Sequence, residues 1–178
     1  RRQRQMCIRD SLITTEEVSE LSRDMSTHLD KSKIETYIRE SENIDIKSAL
    51  GDGLFLDVKN FPEKYSILLN GGIYETECGD RKVFTGLKSA LAYYTFARIV
   101  KNGDGSVTRF GFVNKESEYS SRSEIKEKVM AYNDAFSIAD RYLKECVQYL
   151  NDCKSDFPLY KSGGKLKANR TVFRIIGD

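Results

Sequence analysis

The sequence lacks most of the signatures by which function is usually read. No apolar run approaches the roughly 20 residues that a bilayer-spanning helix needs, so a transmembrane helix is excluded. There is a single histidine, His28, and the four cysteines include no Cys-x-x-Cys pair, so the spacing typical of zinc sites is missing. Cys146 and Cys153 fall seven apart in one predicted helix, about 10 Å along its axis. That separation is too great for a disulfide between them. Cys78 stands alone in a turn, and the pattern predicts reduced thiols and synthesis in a cytoplasm. Walker loops, dinucleotide glycine fingerprints and nucleophile elbows are absent, as are repeats at solenoid periods. No metal or cofactor site is expected, and no enzymatic activity.

Strong charge is missing too. The formal net charge of +2 comes from the first ten residues, where Arg1, Arg2, Arg4 and Arg9 face only Asp10. The remaining chain is slightly acidic, which removes the global basic signal of a nucleic-acid-binding protein. Residues 1–11 carry no helical or strand period. They are expected to be a non-native or disordered basic tail, resembling translated read-through of adapter sequence, the alternative being a basic arm that binds phosphate. No apolar core follows these arginines, so a signal peptide is not expected.

What the chain does have is 39% hydrophobic residues in 178, enough for one domain with a real core. The most apolar stretch is Gly86-Leu-Lys-Ser-Ala-Leu-Ala-Tyr-Tyr-Thr-Phe-Ala-Arg-Ile-Val100. Leu87, Ala90, Leu91 and Tyr94 recur at helical spacing, and Phe96, Ala97, Ile99 and Val100 widen the arc. Only Lys88 and Arg98 are charged, so the spacing predicts a central helix packed on most sides.

The elements around it follow from capping and turn chemistry. Thr14 and Glu17 form a capping-box pattern that opens a short helix reaching about Ser22. Asp30 caps the next helix, with Ile34, Tyr37, Ile38 and either Ile44 or Ile46 inward, stopping at Leu50-Gly51. Asp52 is expected to cap a further helix burying Leu54, Phe55 and Val58. Pro62 suits the first turn of a helix over residues 63–69, ended by Gly71-Gly72. Residues 73–76 and 81–84 read as a hairpin, and residues 101–121 as a turn cluster with a second hairpin or extended loop. From Ser123 to about Asp152, Ile125, Val129, Tyr132, Phe136, Ala139, Leu143, Cys146, Val147 and Leu150 form the stripe of a long helix covered on one side. Thr171-Val-Phe-Arg-Ile-Ile176 reads as a terminal strand that must pair with something, within the chain or outside it. The expected fold is mainly α, a compact helical bundle of about four to six helices (two long) with short β-hairpin or loop insertions and a C-terminal strand. The expected domain is residues 12–155, with 156–178 as a C-terminal extension.

Few residue groups suggest chemistry. Asn102, Asp104, Gly105, Ser106 and Val107 match the middle of an EF-hand loop, yet Val100 and Gly111 stand where its anchoring carboxylates belong, so a glycine turn is preferred. His28 lies between Asp24 and Asp30 in polar surroundings and reads as a surface residue. Asp24, Asp30, Glu35 and Glu42 read as solvated helix faces. The basic segment Ser162–Arg170 reads as a linker that could touch phosphates. The projecting segments supply candidate intermolecular contacts: Tyr74 and Arg81 in the first hairpin, Arg109, Phe110 and Phe112 in the second, and Phe173 and Ile175 in the terminal strand.

Several motifs in order carry a resemblance. Leu12-Ile-Thr-Thr-Glu-Glu17, Tyr37-Ile38 leading into Ala49-Leu-Gly-Asp-Gly-Leu-Phe55, and Gly71-Gly72 before the Gly86–Arg98 stretch are followed by Lys115-Glu-Ser-Glu-Tyr119. Together, over residues 12–152, they resemble head–tail connector (adaptor, head-completion) proteins of tailed double-stranded DNA phages. The likeness is greatest to the branch found in phages of Bacteroidetes, including crAss-like phages. The helix before Leu50 departs by lacking a proline, and the chain after Phe157 is only loosely similar. The resemblance implies a non-catalytic ring of this chain, commonly of twelve copies, at the capsid vertex of the virion. Its implied partners are the portal protein, a downstream neck or tail protein, and DNA passing without sequence-specific contacts. A slightly acidic body suits a conduit along which DNA must slide. The alternatives are a small helical regulatory or nucleic-acid-binding protein and, further off, a carboxylate-metal enzyme.

Overall fold

The computed structural model describes residues 11–25, 29–76, 78–102, 105–108, 111–114 and 125–161. The chain is mainly α. Helix α1 (Thr15–Leu21) opens with the full capping box: Thr14 Oγ1 accepts from Glu17 N–H at 3.2 Å while Glu17 Oε2 accepts from Thr14 N–H at 2.9 Å. Glu17 also holds Lys88 of the central helix through its other oxygen, so one side chain both starts α1 and fixes it to the core. Asp30 caps α2 (Lys31–Ser41), accepting from Ser32 N–H at 3.0 Å.

Helix α2 runs without a break through a π turn (Glu42–Ile46) into α3 (Lys47–Leu50). Along it Ile34, Ile38, Glu42, Ile46 and Leu50 form a buried stripe spaced by four, with Ser41 and Ala49 buried beside it. At 3.6 residues per turn, each step of four rotates a stripe by about 40°, which would carry Leu50 well away from Ile34. The wider π turn, in which Lys47 N–H reaches back to Glu42 C=O, absorbs that drift and keeps the five residues inward. Of the two isoleucines open from sequence, Ile46 is therefore the buried one and Ile44 is 59% exposed.

Gly51, at φ +76°, stops α3, and α4 (Asp52–Asn60) buries Leu54, Phe55 and Val58 as expected. Asp52 does not cap it. It is the first helical residue, with Gly51 at the N-cap, and its carboxylate pairs instead with Lys47 at 3.1 Å. The helix expected over 63–69 begins later: residues 62–65 form turns, with Tyr65 N–H bonded to Pro62 C=O, and α5 covers Ser66–Asn70.

Strands β1 (Gly72–Glu75) and β2 (Arg81–Phe84) form the first hairpin, antiparallel with Ile73 opposite Val83 and Glu75 opposite Arg81. Its base is pinched between two glycines. A Cβ on Gly71 (φ +80°) would sit 2.5 Å from Thr85 backbone, and one on Gly86 (φ +98°) 2.4 Å from the Gly71 nitrogen. Only glycine allows this crossing, both for its left-handed φ and for the missing Cβ. It brings the chain out of α5, through the hairpin and directly into α6.

Helix α6 (Leu87–Asn102) is the central element, packing along α1, α2 and, most extensively, α7 (Ile125–Asp152). Leu87, Ala90, Leu91, Ala92, Tyr94, Ala97 and Ile99 are buried, and each large one contributes about 1.5–3 kcal/mol by leaving water. Tyr94 against Phe136 and Tyr93 against Tyr142 set α6 and α7 antiparallel, with ring centroids 5.1 and 5.7 Å apart. Between them, β3 (Gly105–Thr108) and β4 (Gly111–Asn114) form the second hairpin, with Val107 opposite Phe112. Among the described residues there are thus six helical rods and two short hairpins.

The body does not end at residue 155. Phe157 is buried, stacked on Tyr65 at 6.0 Å and edge-on to Tyr149 at 5.4 Å, so the start of the expected extension belongs to the core. At the other end, Ile13 is buried and Ser11 and Leu12 are bonded to Glu42. The terminal strand over 171–176 lies outside the described residues.

Candidate functional site

Three polar or apolar features stand out from the packing. The first is the buried pair on the π turn. Glu42 is wholly buried; its Oε2 accepts from Lys59 Nζ of α4 at 2.7 Å, and its Oε1 accepts from Ser11 Oγ at 2.7 Å and from Leu12 N–H. Three donors on one carboxylate offset its loss of hydration, as a buried charge requires. The arrangement clasps the start of the folded chain to α4 through the π turn. Beside it opens a cleft of about 320 Å³ lined in part by Ser11, Leu12, Lys59, Asn70 and Lys88. Both its lysines are already paired, Lys59 with Glu42 and Lys88 with Glu17, so it offers no uncompensated cation to an anionic ligand.

The second feature is a polar seam where the π turn, α6 and α7 meet. Arg98 places Nη2 2.8 Å from Asp45 Oδ2 and Nε 3.7 Å from Glu40 Oε2, and Nη1 donates to Ser41 Oγ at 3.1 Å. Tyr94 donates its hydroxyl to Asp140 Oδ1 at 2.6 Å. Thr95, also buried, donates to Leu91 C=O at 2.8 Å. Burial pushes the Asp45 carboxyl up to about 6, against the opposing pull of Arg98. Burial and then the Asp140 carboxylate hold the Tyr94 phenol above its ordinary value. Two carboxylates, an arginine and a tyrosine would suit acid–base chemistry, but each is engaged by another member of the seam. Among the described residues, no three His, Cys, Asp or Glu side chains stand close enough to hold a metal ion. Cys146 is buried and its thiol is pushed up to about 12 by that burial, which leaves it a packing residue and not a nucleophile.

The third feature is the first hairpin, whose two faces differ. Inward, Phe84 stacks on Tyr149 at 4.5 Å, and Tyr74 meets both rings edge-on, 5.8 Å from Phe84 and 4.8 Å from Tyr149. Tyr74 Oη and Lys82 Nζ both reach Asp152 Oδ2 at 2.8 Å. Lys82 and then Tyr74 hold that carboxyl below its usual range. Outward, Ile73 and Val83 form a cross-strand pair that is 65% and 74% exposed, next to the charged pair Glu75 and Arg81. An apolar pair this open on a short sheet is the feature most like a contact surface.

The expected contact residues therefore part company. Tyr74 is turned inward and spent on Phe84, Tyr149 and Asp152, whereas Arg81 does lie on the outer face. Phe112 lies in β4 opposite Val107. Arg109, Phe110, Phe173 and Ile175 lie outside the described residues, as does His28. Sequence reading missed Ile73 and Val83 as the outward pair, and it took Glu42 for a solvated face. The register that sets Ile73 opposite Val83, and the face that pair takes, come from the folded hairpin and not from the residue order.

None of the helices among the described residues is long and apolar enough to cross a membrane. No curated protein and no solved structure matches the chain. One family model does match, over residues 46–170, from the end of the π turn through α7 and beyond. It covers α4, α5, the first hairpin and the α6–α7 pair, and by this match the chain belongs to the family of unknown function DUF6712.

Proposed function

We propose that this chain is a structural subunit of an oligomeric ring in the neck of a tailed phage. On this reading it joins the portal to tail or neck proteins, extends the DNA channel, and has no catalytic role. The observation that carries the reading is the outer face of the β1–β2 hairpin. Ile73 and Val83 are held open to solvent by a hairpin whose inner face is anchored on Tyr149 and Asp152 of α7. A rigidly mounted apolar pair beside one acid and one base suits packing against another protein more than binding a small molecule.

Two further observations point the same way. Glu42 with Lys59 and Tyr94 with Asp140 are hydrogen-bonded across elements, and Asp45 is ion-paired with Arg98, so these groups hold elements together. The slightly acidic body beyond residue 10 suits a channel that DNA passes without adhering. The order of motifs that resembles connector proteins spans the same segments, and it supplies the expectation of twelve copies, a portal partner and a place in the virion.

Light scattering and negative-stain microscopy of the purified full chain, alone and mixed with the portal protein of the same phage, test this. Closed rings, alone or on the portal, are the expected result. A chain that stays monomeric under both conditions overturns the proposal.

A further inference from the structure

The polar seam holds more acid than base. Glu40 of α2, Asp45 of the π turn and Asp140 of α7 gather near one cation, Arg98 of α6. With all of them ionised, two negative charges are left in excess. Two of the three carboxylates have an outlet: Glu40 is half exposed, and Asp140 accepts the Tyr94 hydroxyl at 2.6 Å. Asp45 has neither. Its side chain is 11% exposed, and Arg98 Nη2, 2.8 Å from Oδ2, is not aligned for a hydrogen bond. That buried oxygen has no hydrogen-bond donor among the described residues. Tyr132 of α7 brings a phenol to the same region, with Lys101 of α6 over its ring at 5.1 Å. The charged neighbours along the chain are turned elsewhere, Glu42 to Lys59 and Lys47 to Asp52.

A buried carboxylate short of donors is relieved in one of two ways, by taking up a proton or by opening to water. We infer that the seam is a proton-operated latch: a proton on Asp45 closes the π turn against α6 and α7, and its loss lets the turn open locally while the rest of the core stays packed.

The fold makes such an opening local. The π turn packs on α6 and makes little contact with α7, so hydrating Asp45 does not require the α6–α7 interface to part. That interface is held separately by Tyr94 against Phe136 and Tyr93 against Tyr142. A π turn is also a single wide turn inside an α-helix, a place where helices commonly carry function. Burial, with Asp140 adding to it, raises the Asp45 carboxyl from 3.8 to about 6 against the pull of Arg98, which puts the change just below neutral pH. The closed state is favoured in acid and loses its advantage as pH rises towards 6. The latch lies within one chain and does not depend on the ring proposal.

Native-state hydrogen exchange on the full chain between pH 4 and pH 7, at several low urea concentrations, tests it. A rise from 3.8 to about 6 translates, at tenfold per unit, into about a fiftyfold fall in protection over residues 40–48 across that range. This exchange should be nearly insensitive to urea, as local opening is. Amides of α6 over residues 91–97 should stay better protected and show the steep urea slope of global unfolding. In Asp45→Asn the fall over 40–48 should vanish. In Asp140→Asn, which keeps an acceptor for Tyr94, its midpoint should move to lower pH. If residues 42–46 exchange only with the protection and urea slope of α6, there is no local opening and the latch is overturned. A fall that persists in Asp45→Asn overturns it as well, because another group would then carry the proton. A midpoint unmoved in Asp140→Asn also overturns it, because the excess charge of the seam would then not govern the turn.

Discussion

Two carboxylates three residues apart on the same π turn are treated differently by the fold. Glu42 loses all contact with water but receives Lys59, the Ser11 hydroxyl and the Leu12 amide. Asp45 is nearly as enclosed and faces a full positive charge on Arg98 at 2.8 Å, yet burial still raises its pKa to about 6. Arg98 is shared with Glu40 and Ser41, so Asp45 has only part of one cation to replace its hydration shell. The difference lies in the donors each receives: Glu42 is met by three, whereas Asp45 shares a single guanidinium with Glu40 and Ser41.

The largest effect should come from breaking the better-served site. Glu42→Ala leaves the Lys59 ammonium buried without its partner and frees Ser11 and Leu12, and removal of one member of a buried pair costs about 3–5 kcal/mol. For a chain of this size that corresponds to a fall in Tm of about 10 °C, measurable by calorimetry or urea unfolding. The double variant Glu42→Leu/Lys59→Met should recover most of the loss, because it removes both charges and fills the volume. If the single variant costs under about 1 kcal/mol, the clasp contributes nothing and the contrast with Asp45 collapses.

The next effect concerns Asp45 and is read through pH. Its folded pKa is raised from 3.8 to about 6, so the folded state keeps a proton that the unfolded chain has already released. The resulting contribution is fully present below about pH 4, is lost as pH rises towards 6, and stays lost above that. At 1.36 kcal/mol per unit, the change is about 2–3 kcal/mol. Asp45→Asn cannot titrate, so wild type minus variant stability should fall by that amount between pH 4 and 6.5 in urea titrations. The difference is the quantity to measure, because Glu17, Asp57 and Asp152 have lowered values and bend the total curve the opposite way. A flat difference would mean that Asp45 is solvated well enough to behave as an ordinary surface carboxylate.

Much of this geometry was open to reading and some was not. The Thr14–Glu17 box, the Asp30 cap, the Gly51 and Gly71 stops and the two long helices follow from local chemistry and period, and each is where the sequence puts it. Glu42 was hidden by its own polarity: a carboxylate at a stripe position reads as a solvated face until Lys59, seventeen residues on, is brought against it. The seam was hidden for a related reason, since Asp140 and Asp45 meet Tyr94 and Arg98 only after three elements pack. For the hairpin, Ile73 and Tyr74 are both apolar enough to face inward. The edge-on contact with Tyr149 decides for Tyr74, and that partner lies 75 positions away in the chain.

The smallest effect isolates the π turn itself. Ile34, Ile38, Glu42, Ile46 and Leu50 are all within the core, whereas Ile44 is 59% exposed on the same turn. An uninterrupted α-helix would swing its stripe by about 40° for every step of four, moving Ile46 off the core line set by Ile34 and Ile38. The inserted residue cancels that swing and leaves Ile44 pointing to solvent. Ile44→Ser should therefore change stability by no more than about 0.5 kcal/mol, as expected for a surface site remote from any special feature. Urea unfolding at fixed pH checks this, with m compared to confirm an unchanged folded state. A loss above about 1 kcal/mol would put Ile44 inside the core. The helix would then have no π turn, and with it would go the reason that Glu42 and Asp45 face two different sets of partners.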